Sequence, residues 1–521
     1  MEIVQKIIKD LIKARINTPV DLVSFKRRVS KKYKVPCLSN IELLKAYHKL
    51  VQIKRIKRSE VLEKLLKTRP IRSLSGIVNV SVLTKPYPCP GKCLYCPQEI
   101  GIPKSYVSGE PAVERAKKLN YDPYWQTKKR IEMLKTEGHP TDKIELRIVG
   151  GTWSYYPRQY QNWFTKRCFD ACNKANGENL KKAQELNERA KYRMVGLSIE
   201  TRPDFINLRE IRQLRKLGVT LVELGVQSIY NNVLKLNKRG HGVKAIIKAT
   251  KLLKDAGFKI LYQIMPNLPG SNLKKDEKMF EELFQNPDFQ PDYLKIYPCA
   301  LLKEAPLYKW WKAGKYKPYT QLQLINLLKS IKKPSSRART EGKIPYYVRI
   351  QRIARDIPSQ NIITGGAKIS NLRQIIYKES KRENWQCKCI RCREVKENYN
   401  PKDKLYLFRQ NYIASGDREI FLSFETKNRE KLYSLLRLRI MENTAIIREI
   451  QTFGEAVPIG VKKIASQHQG LGKKLTKEAE KIVKKEFGLK KIFVIAGVGA
   501  RNYFRKLGYR LKNSYMARVI K

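Results

Sequence analysis

The sequence predicts an α/β protein: a partial TIM-type barrel followed by a smaller α+β domain, with a basic helical domain ahead of the barrel and a zinc-stapled, Cys-rich linker behind it. Three observations carry this. Between residues 76 and 352, β-type apolar runs alternate with helical segments ("IVNVSVL", "IELRIVGG", "MVGLSIE", "LVELGVQS", "ILYQIMP", "YLKIYP", "YYVRIQ"). Repeated strand-then-helix units make a parallel sheet. From residue 401 the pattern becomes one of consecutive strands ("LYLFRQNYIA", "EIFLSFE", "LYSLLRLRI", "AIIREIQTFG"), then a helix, "IFVIAGV" and a last helix. Finally, six of the ten cysteines fall in two tight clusters. In a reducing compartment such clusters are metal ligands, not a disulfide framework.

Residues 1–75 place Ile3, Ile7, Ile8 and Leu11 at helical spacing among dense basic residues, as in "KRRVSKKYK" and "KRIKR". The whole chain holds 108 Lys and Arg against 47 Asp and Glu, a formal charge of +61. That imbalance points to a polyanionic partner. No apolar run approaches the ~18 residues of a spanning helix. The first residues alternate charged and apolar positions in place of a signal peptide, so a cytoplasmic location and no membrane partner are expected. In the barrel region, 76–352, chemistry belongs where strands run into loops, here at "GG", "SIET", "GVQS" and "IYP". Residues 353–400 show little regular pattern around "WQCKCIRCREV", which makes them a linker, and 401–521 form the last domain.

"YPCPGKCLYCP" follows the first barrel strand and spaces Cys89, Cys93 and Cys96 as Cys-x3-Cys-x2-Cys. Three thiolates on a four-iron cluster leave one iron open for a ligand. A structural zinc completed by a distant His is the competing reading, although such sites favour paired CxxC ligands. The arrangement, with Tyr95 before the last cysteine, resembles the radical S-adenosylmethionine (SAM) enzymes. That resemblance implies a 4Fe-4S cluster whose open iron holds SAM and yields a 5′-deoxyadenosyl radical. It makes Gly150, Gly151 and Thr152 a SAM-binding segment, and Glu200 and Gln227 polar contacts to SAM.

"QHQGLG", residues 467–472, opens a helix after a strand, where glycines free backbone N–H groups for a pyrophosphate. With "AIIREIQTFG" before it and "RNYFRKLGY" after it, the segment resembles the GNAT acetyltransferases, which implies acetyl-CoA. A Rossmann loop competes but expects a βαβ unit. Tyr503 stands where GNAT enzymes often keep a tyrosine near the thioester sulfur.

The two halves together, through "NYDPYWQT", "DKIELRIVGGT", "SIETRPD", "GVQSIY", "LKIYP", "REIQTFG", "QHQGLG" and "GVGARNYFRKLGY", resemble the catalytic subunit of Elongator over nearly all of residues 70–521. That family modifies the wobble uridine of tRNA. The resemblance implies hydrogen abstraction from the acetyl methyl of acetyl-CoA, addition to uridine C5, and thioester hydrolysis to 5-carboxymethyluridine. It implies acetyl-CoA contacts at Lys143, at Glu449, Ile450, Gln451 and Thr452, and at Gly470, Leu471, Gly472 and Lys473. Lys295 and Tyr297 are candidates for handling the uridine or the thioester. Phe504, which is Tyr in some relatives, is placed beside the cofactor and leaves any hydroxyl role to Tyr503. tRNA is the expected partner, held by the N-terminal helices and rim Lys/Arg; further Elongator-like subunits or self-association are also compatible. Zinc is expected on Cys387, Cys389 and Cys392, its fourth ligand open between Cys299 and His139. His241 has a packing or capping role as its first reading. A protein lysine acetyltransferase and a tRNA-binding scaffold are the alternative functions.

Overall fold

The computed structural model describes residues 2–334, 343–459, 465–467 and 469–520. Helices Glu2–Lys13, Pro19–Tyr33, Asn40–Gln52 and Glu60–Leu66 open the chain. Each of the middle two starts on a capping side chain: Thr18, with Pro19 in the first turn, and Ser39, which forms a reciprocal capping box with Glu42. Ile7, Ile8, Leu11, Phe25, Leu44 and Tyr47 meet in a core of their own, while Arg27, Arg28, Lys31 and Lys32 face outward. Ile3, expected on the same apolar stripe, is exposed because it lies a turn before the packed stretch. No helix among the described residues is long and apolar enough to cross a membrane.

The barrel consists of β1 (Val78–Leu83), β2 (Lys143–Val149), β3 (Arg193–Thr201), β4 (Leu221–Gln227), β5 (Lys259–Ile264), β6 (Tyr293–Ile296) and β7 (Arg349–Ile353). All pairings are parallel and the order is sequential, leaving β1 and β7 as open edges. Strand alternation decides what faces where. Val78, Val80 and Val82 enter the main core, whereas Asn79 and Ser81 between them line a central cavity. The segment after β7 differs from its expected irregularity: it holds an 11-residue helix, Leu372–Arg382. Basic residues interrupt its apolar stripe in the sequence, but Leu372 and Ile376, four apart, still bury one face.

A second seven-stranded sheet is built from β8 (Tyr406–Ala414), β9 (Asp417–Glu425), β10 (Leu432–Met441), β11 (Thr444–Thr452), β12 (Lys491–Val494), β13 (Arg510–Lys512) and β14 (Tyr515–Val519), in the order 13-14-12-11-10-9-8. β11 and β12 are parallel, separated by the helix Leu471–Lys485, and the other pairs are antiparallel. The expected last helix, Arg501–Arg505, is followed by the β13–β14 hairpin, which the sequence reading lacked.

This sheet docks on the floor of the barrel, at the starts of its strands. Asp292, one residue before β6, takes two hydrogen bonds from Arg448 on β11, at 2.9 and 2.5 Å. Arg448 also donates to Glu419 at 2.9 Å and to the Phe258 carbonyl at 2.7 Å. Lys254 lies 3.8 and 3.7 Å from Asp292 and Glu419, and Arg437 donates to Glu449 at 2.7 Å. All these side chains are buried. Burial alone would raise the Asp292 carboxyl, but Arg448, Lys254 and Arg437 hold it far below the usual carboxylate range. Nearby, Gly499 presses against β3: an added Cβ would stand 2.6 Å from that of Arg193.

Removing one member of such a cluster leaves buried charge uncompensated. Arg448→Ala is therefore expected to destabilise the protein by about 3–5 kcal/mol, read from the shift of the urea midpoint. A loss below about 1 kcal/mol would locate the docking energy elsewhere.

Candidate active site across the barrel

A cavity of about 760 Å³ runs along the barrel interior and opens at the seam between β1 and β7. At its upper end, where strands finish, lie Cys89, Cys93, Cys96, Gly151, Thr152, Glu200 and Gln227. Two of the cysteines meet at Gly91, where an added Cβ would stand 3.5 Å from Cys93 Sγ and 3.6 Å from Cys89 Sγ. Thr152 Oγ1 lies 3.7 Å from Cys89 Sγ. Burial, with Cys93 and Cys89 alongside, pushes the Cys96 thiol up to about 12, so a nearby cationic group is needed to hold it as a thiolate. Among the described residues the sulfurs of this triad, unlike those of the second cysteine set, do not all lie within 4.8 Å of one another, which suits a cluster that offers each thiolate its own iron.

Gly150 and Gly151 have φ of 131° and 102°. A side chain on Gly150 would strike the Thr84 hydroxyl, so the turn requires glycine there. Gln227 adopts φ 71° at the end of β4, and its Oε1 is buried without a partner among the described residues. Both features fit a side chain set aside for a ligand. Arg239, not singled out in the sequence, is buried with Nη1 3.6 Å from Cys93 Sγ. Its "KRGHG" setting resembles a loop, and only the fold brings it to the cysteines. His241 beside it is pushed down to about 4 by burial and the Arg239 charge, and so stays neutral.

Lower in the lumen, Lys295 on β6 donates to Glu223 and stands 3.8 Å from Glu200. Glu200 also accepts from Tyr106 at 2.9 Å and Gln263 at 3.3 Å. Burial pushes the Glu200 carboxyl up against the pull of Lys295. Burial would lower Lys295, but Glu223 holds it above its ordinary value. Tyr297 lines the cavity with the Lys295 ammonium 6.0 Å from its ring centre. Arginines crowd the seam: Arg72, Arg115 and Arg130 on one bank, Arg352, Arg373 and Arg391 on the other. Burial and neighbouring guanidiniums push Arg130 and Arg391 down to about 10.

The second-domain candidates divide. Gln451 reaches the cavity and donates to the Ser75 carbonyl at 3.0 Å. The Glu449 side chain is engaged with Arg437, Tyr293 and Lys259 at the interface. Thr452 bonds Ser434 at 3.1 Å, and Ile450 packs on the second-domain core. Gly470 (φ 75°) begins the helix Leu471–Lys485 with, among the described residues, no side-chain cap and open space where a Cβ would be. Its first N–H groups are thus available to an anion. Leu471 is buried and Lys473 exposed, while a Cβ on Gly472 would stand 2.9 Å from the Tyr503 hydroxyl. Phe504 is buried in the domain core. Lys143 starts β2 on the barrel floor, donating to Gln467 at 2.6 Å, and burial brings it down to about 8. His468 of "QHQGLG" lies outside the described residues.

Cys387, Cys389 and Cys392 have sulfurs within 4.8 Å of one another, close to the ~3.8 Å that tetrahedral zinc–thiolate bonds of 2.3 Å impose. Neither proposed fourth ligand joins them. His139 is held by Ser73 and the Thr68 carbonyl, and Cys299 packs in a different apolar cluster. Buried Lys332 stands there instead, Nζ 3.5 Å from Cys392 Sγ.

Residues 87–283 match the model of the radical SAM superfamily, and residues 291–382 that of the radical SAM C-terminal domain. The chain is 46% identical to the tRNA uridine(34) acetyltransferase of Methanocaldococcus infernus, covering 88% of this chain and 89% of that protein. It is 38% identical to the Elongator complex protein 3 of Homo sapiens, covering 89% and 87%. Among solved structures it resembles the archaeal Methanocaldococcus infernus Elp3 with an N-terminal deletion: TM-score 0.74, 44% identity, 86% of this chain and all of that one.

Cys389→Ser is expected to lower bound zinc from one equivalent to well below half, measured by metal analysis, and to reduce thermal stability. Full zinc retention would remove the second triad as a metal site.

Proposed function

The chain belongs to the family of the tRNA uridine(34) acetyltransferases and Elongator complex protein 3, and we propose that it carboxymethylates C5 of the wobble uridine of tRNA. A 4Fe-4S cluster with SAM, when bound at Cys89, Cys93 and Cys96, supplies the 5′-deoxyadenosyl radical that activates the acetyl methyl of acetyl-CoA. The single observation that carries this reading is the continuous cavity joining that triad to Gln451 of the second domain. Through it an acetyl group presented from the barrel floor reaches the radical without crossing bulk water.

In this reading Gly150, Gly151, Thr152, Glu200 and Gln227 hold SAM. The helix start at Gly470–Lys473 receives the pyrophosphate, and Tyr503 stands over it near the thioester. Lys295, kept charged by Glu223, orients the uridine or the thioester carbonyl, with Tyr297 alongside as a stacking and hydrogen-bonding wall. The arginine-lined seam takes the phosphates of the anticodon stem-loop, and the basic helices of residues 1–75 hold the tRNA body. Zinc on Cys387, Cys389 and Cys392 staples the linker between the domains.

Deuterium carried in the acetyl methyl is expected to appear in 5′-deoxyadenosine, with tRNA present. Cys96→Ala should abolish nucleoside formation, assayed by mass spectrometry, while leaving acetyl-CoA binding intact. Full-rate acetylation of protein lysines by Cys96→Ala, with no deuterium transfer in wild type, would establish the acetyltransferase alternative.

Lys143 adds a pH dependence. Its ammonium attracts the anionic cofactor and is lost as pH rises through about 8. Acetyl-CoA affinity should accordingly fall several-fold between pH 7 and 9 in equilibrium binding, and Lys143→Gln should be weaker at pH 7 and flat across that range. An unchanged pH slope in Lys143→Gln would take this residue out of the cofactor site.

A further inference from the structure

Arg202 follows β3 in "SIETRPD" and is 5% exposed. Its Nε and Nη2 donate to the two carboxylate oxygens of Asp204 at 3.0 and 2.8 Å. That fork fixes the plane of the guanidinium, because both parallel bonds must be kept at once. The remaining nitrogen, Nη1, is buried and has no hydrogen-bond partner among the described residues. An orphaned buried N–H of a charged group is rare, and its surroundings identify what it awaits. Nη1 stands over Gly91: a Cβ added there would lie 2.5 Å from Nη1, and 3.5 and 3.6 Å from the sulfurs of Cys93 and Cys89. The unpaired donor thus borders the same space over Gly91 as the sulfurs of those two cysteines. Arg239 differs, for its Nη1 already reaches Cys93 Sγ and its Nη2 the Gly225 carbonyl.

Resting on the radical SAM reading of the rim, we propose that Arg202 donates from Nη1 to the cluster edge bounded by Cys89 and Cys93, and that the Arg202–Asp204 pair sets the cluster's reduction potential. Arg202 is a positioning and tuning residue in this account; it makes no contact with the reacting methyl. A cluster gains one negative charge on reduction. A hydrogen bond to its sulfur and a nearby cation stabilise the reduced form and raise the potential. Asp204 acts oppositely through its charge while aiming the guanidinium. Removing the two partners should therefore move the potential in opposite directions, whereas a merely structural disturbance would move it without regard to their charges.

The test uses the full-length protein, reconstituted anaerobically with iron and sulfide, without SAM, acetyl-CoA or tRNA. Iron is counted and the midpoint is found by EPR-monitored redox titration. Wild type should hold four irons per chain in a reducible cluster. Arg202→Gln should shift the midpoint to more negative potential and Asp204→Asn to more positive potential, both with iron content retained. An unchanged midpoint in Arg202→Gln, or shifts of the same sign in both variants, would overturn the proposal. Should Arg202→Gln lose iron, Arg202→Lys decides: it keeps the charge and a donor, so retention of the cluster supports the proposal, and loss in both variants overturns it in favour of a purely structural role. Failure of the wild type to take up a reducible cluster is a separate result, and would instead remove the radical SAM reading of the rim.

Discussion

The arrangement rests on the buried charge cluster around Asp292 and Arg448. Its members come from both domains: Lys254 and Asp292 from the barrel, Glu419, Arg437, Arg448 and Glu449 from the second sheet. Charges taken out of water are tolerated only when every partner is in place, so the cluster admits one docking geometry and penalises others. That geometry sets the second sheet beneath the strand starts, opposite the cysteines at the strand ends. Gln451 of the second sheet and the three cysteines thereby line one and the same cavity.

Such an arrangement needs an interior that a packed barrel does not have. In ordinary barrels the lumen is filled with branched apolar side chains. Here Asn79, Glu145, Arg147, Gln263, Lys295 and Gln351 point into it. Burying these groups works against folding unless they are paired, and Lys295 with Glu223 shows how the pairing is done. Several polar atoms lining it nonetheless remain without partners among the described residues: Gln227 Oε1, Gln351 Oε1 and Asn79 Oδ1 are examples. Their concentration along one cavity marks where local stability has been given up for ligand contacts.

How much of this the sequence discloses depends on the range of the signal. The strand-helix alternation, the cysteine spacings and the glycine turn at "VGGT" are local, and the barrel, both triads and the helix start at Gly470 could be read directly. Gly150 and Gly151 are recognisable because a backbone at positive φ leaves few alternatives to glycine. What was missed is assembled across the chain. Arg239 reaches Cys93 from 146 residues away, and Arg448 meets Asp292 from 156 residues away; each is, in sequence, one basic residue among 108. The same reasoning explains why Cys299 and His139 were plausible partners for the second triad: type and proximity in sequence cannot exclude a residue that folding sends elsewhere. The β13–β14 hairpin is hard to read in the sequence because its strands are only three and five residues long, and β13, with Arg510 and Lys512, resembles a polar tail.

Electrostatics joins the fold to its partner. Arg130 and Arg391 of the seam have their affinity for protons lowered by burial and by neighbouring guanidiniums, while Arg72 and Arg352 are paired with Glu137 and Asp356. A surface evolved only for solubility disperses its charges; this one gathers guanidiniums on two facing banks of a cavity. The repulsion between them is relieved by an anion entering between the banks, and linkage then makes such an anion a stabiliser of the folded seam. In the proposed reading, a nucleotide whose phosphates lay along the banks would project its base inward, toward Lys295 and Tyr297. The charges that repel one another across the seam would, in that reading, orient the substrate, with its backbone at the seam and its base in the lumen.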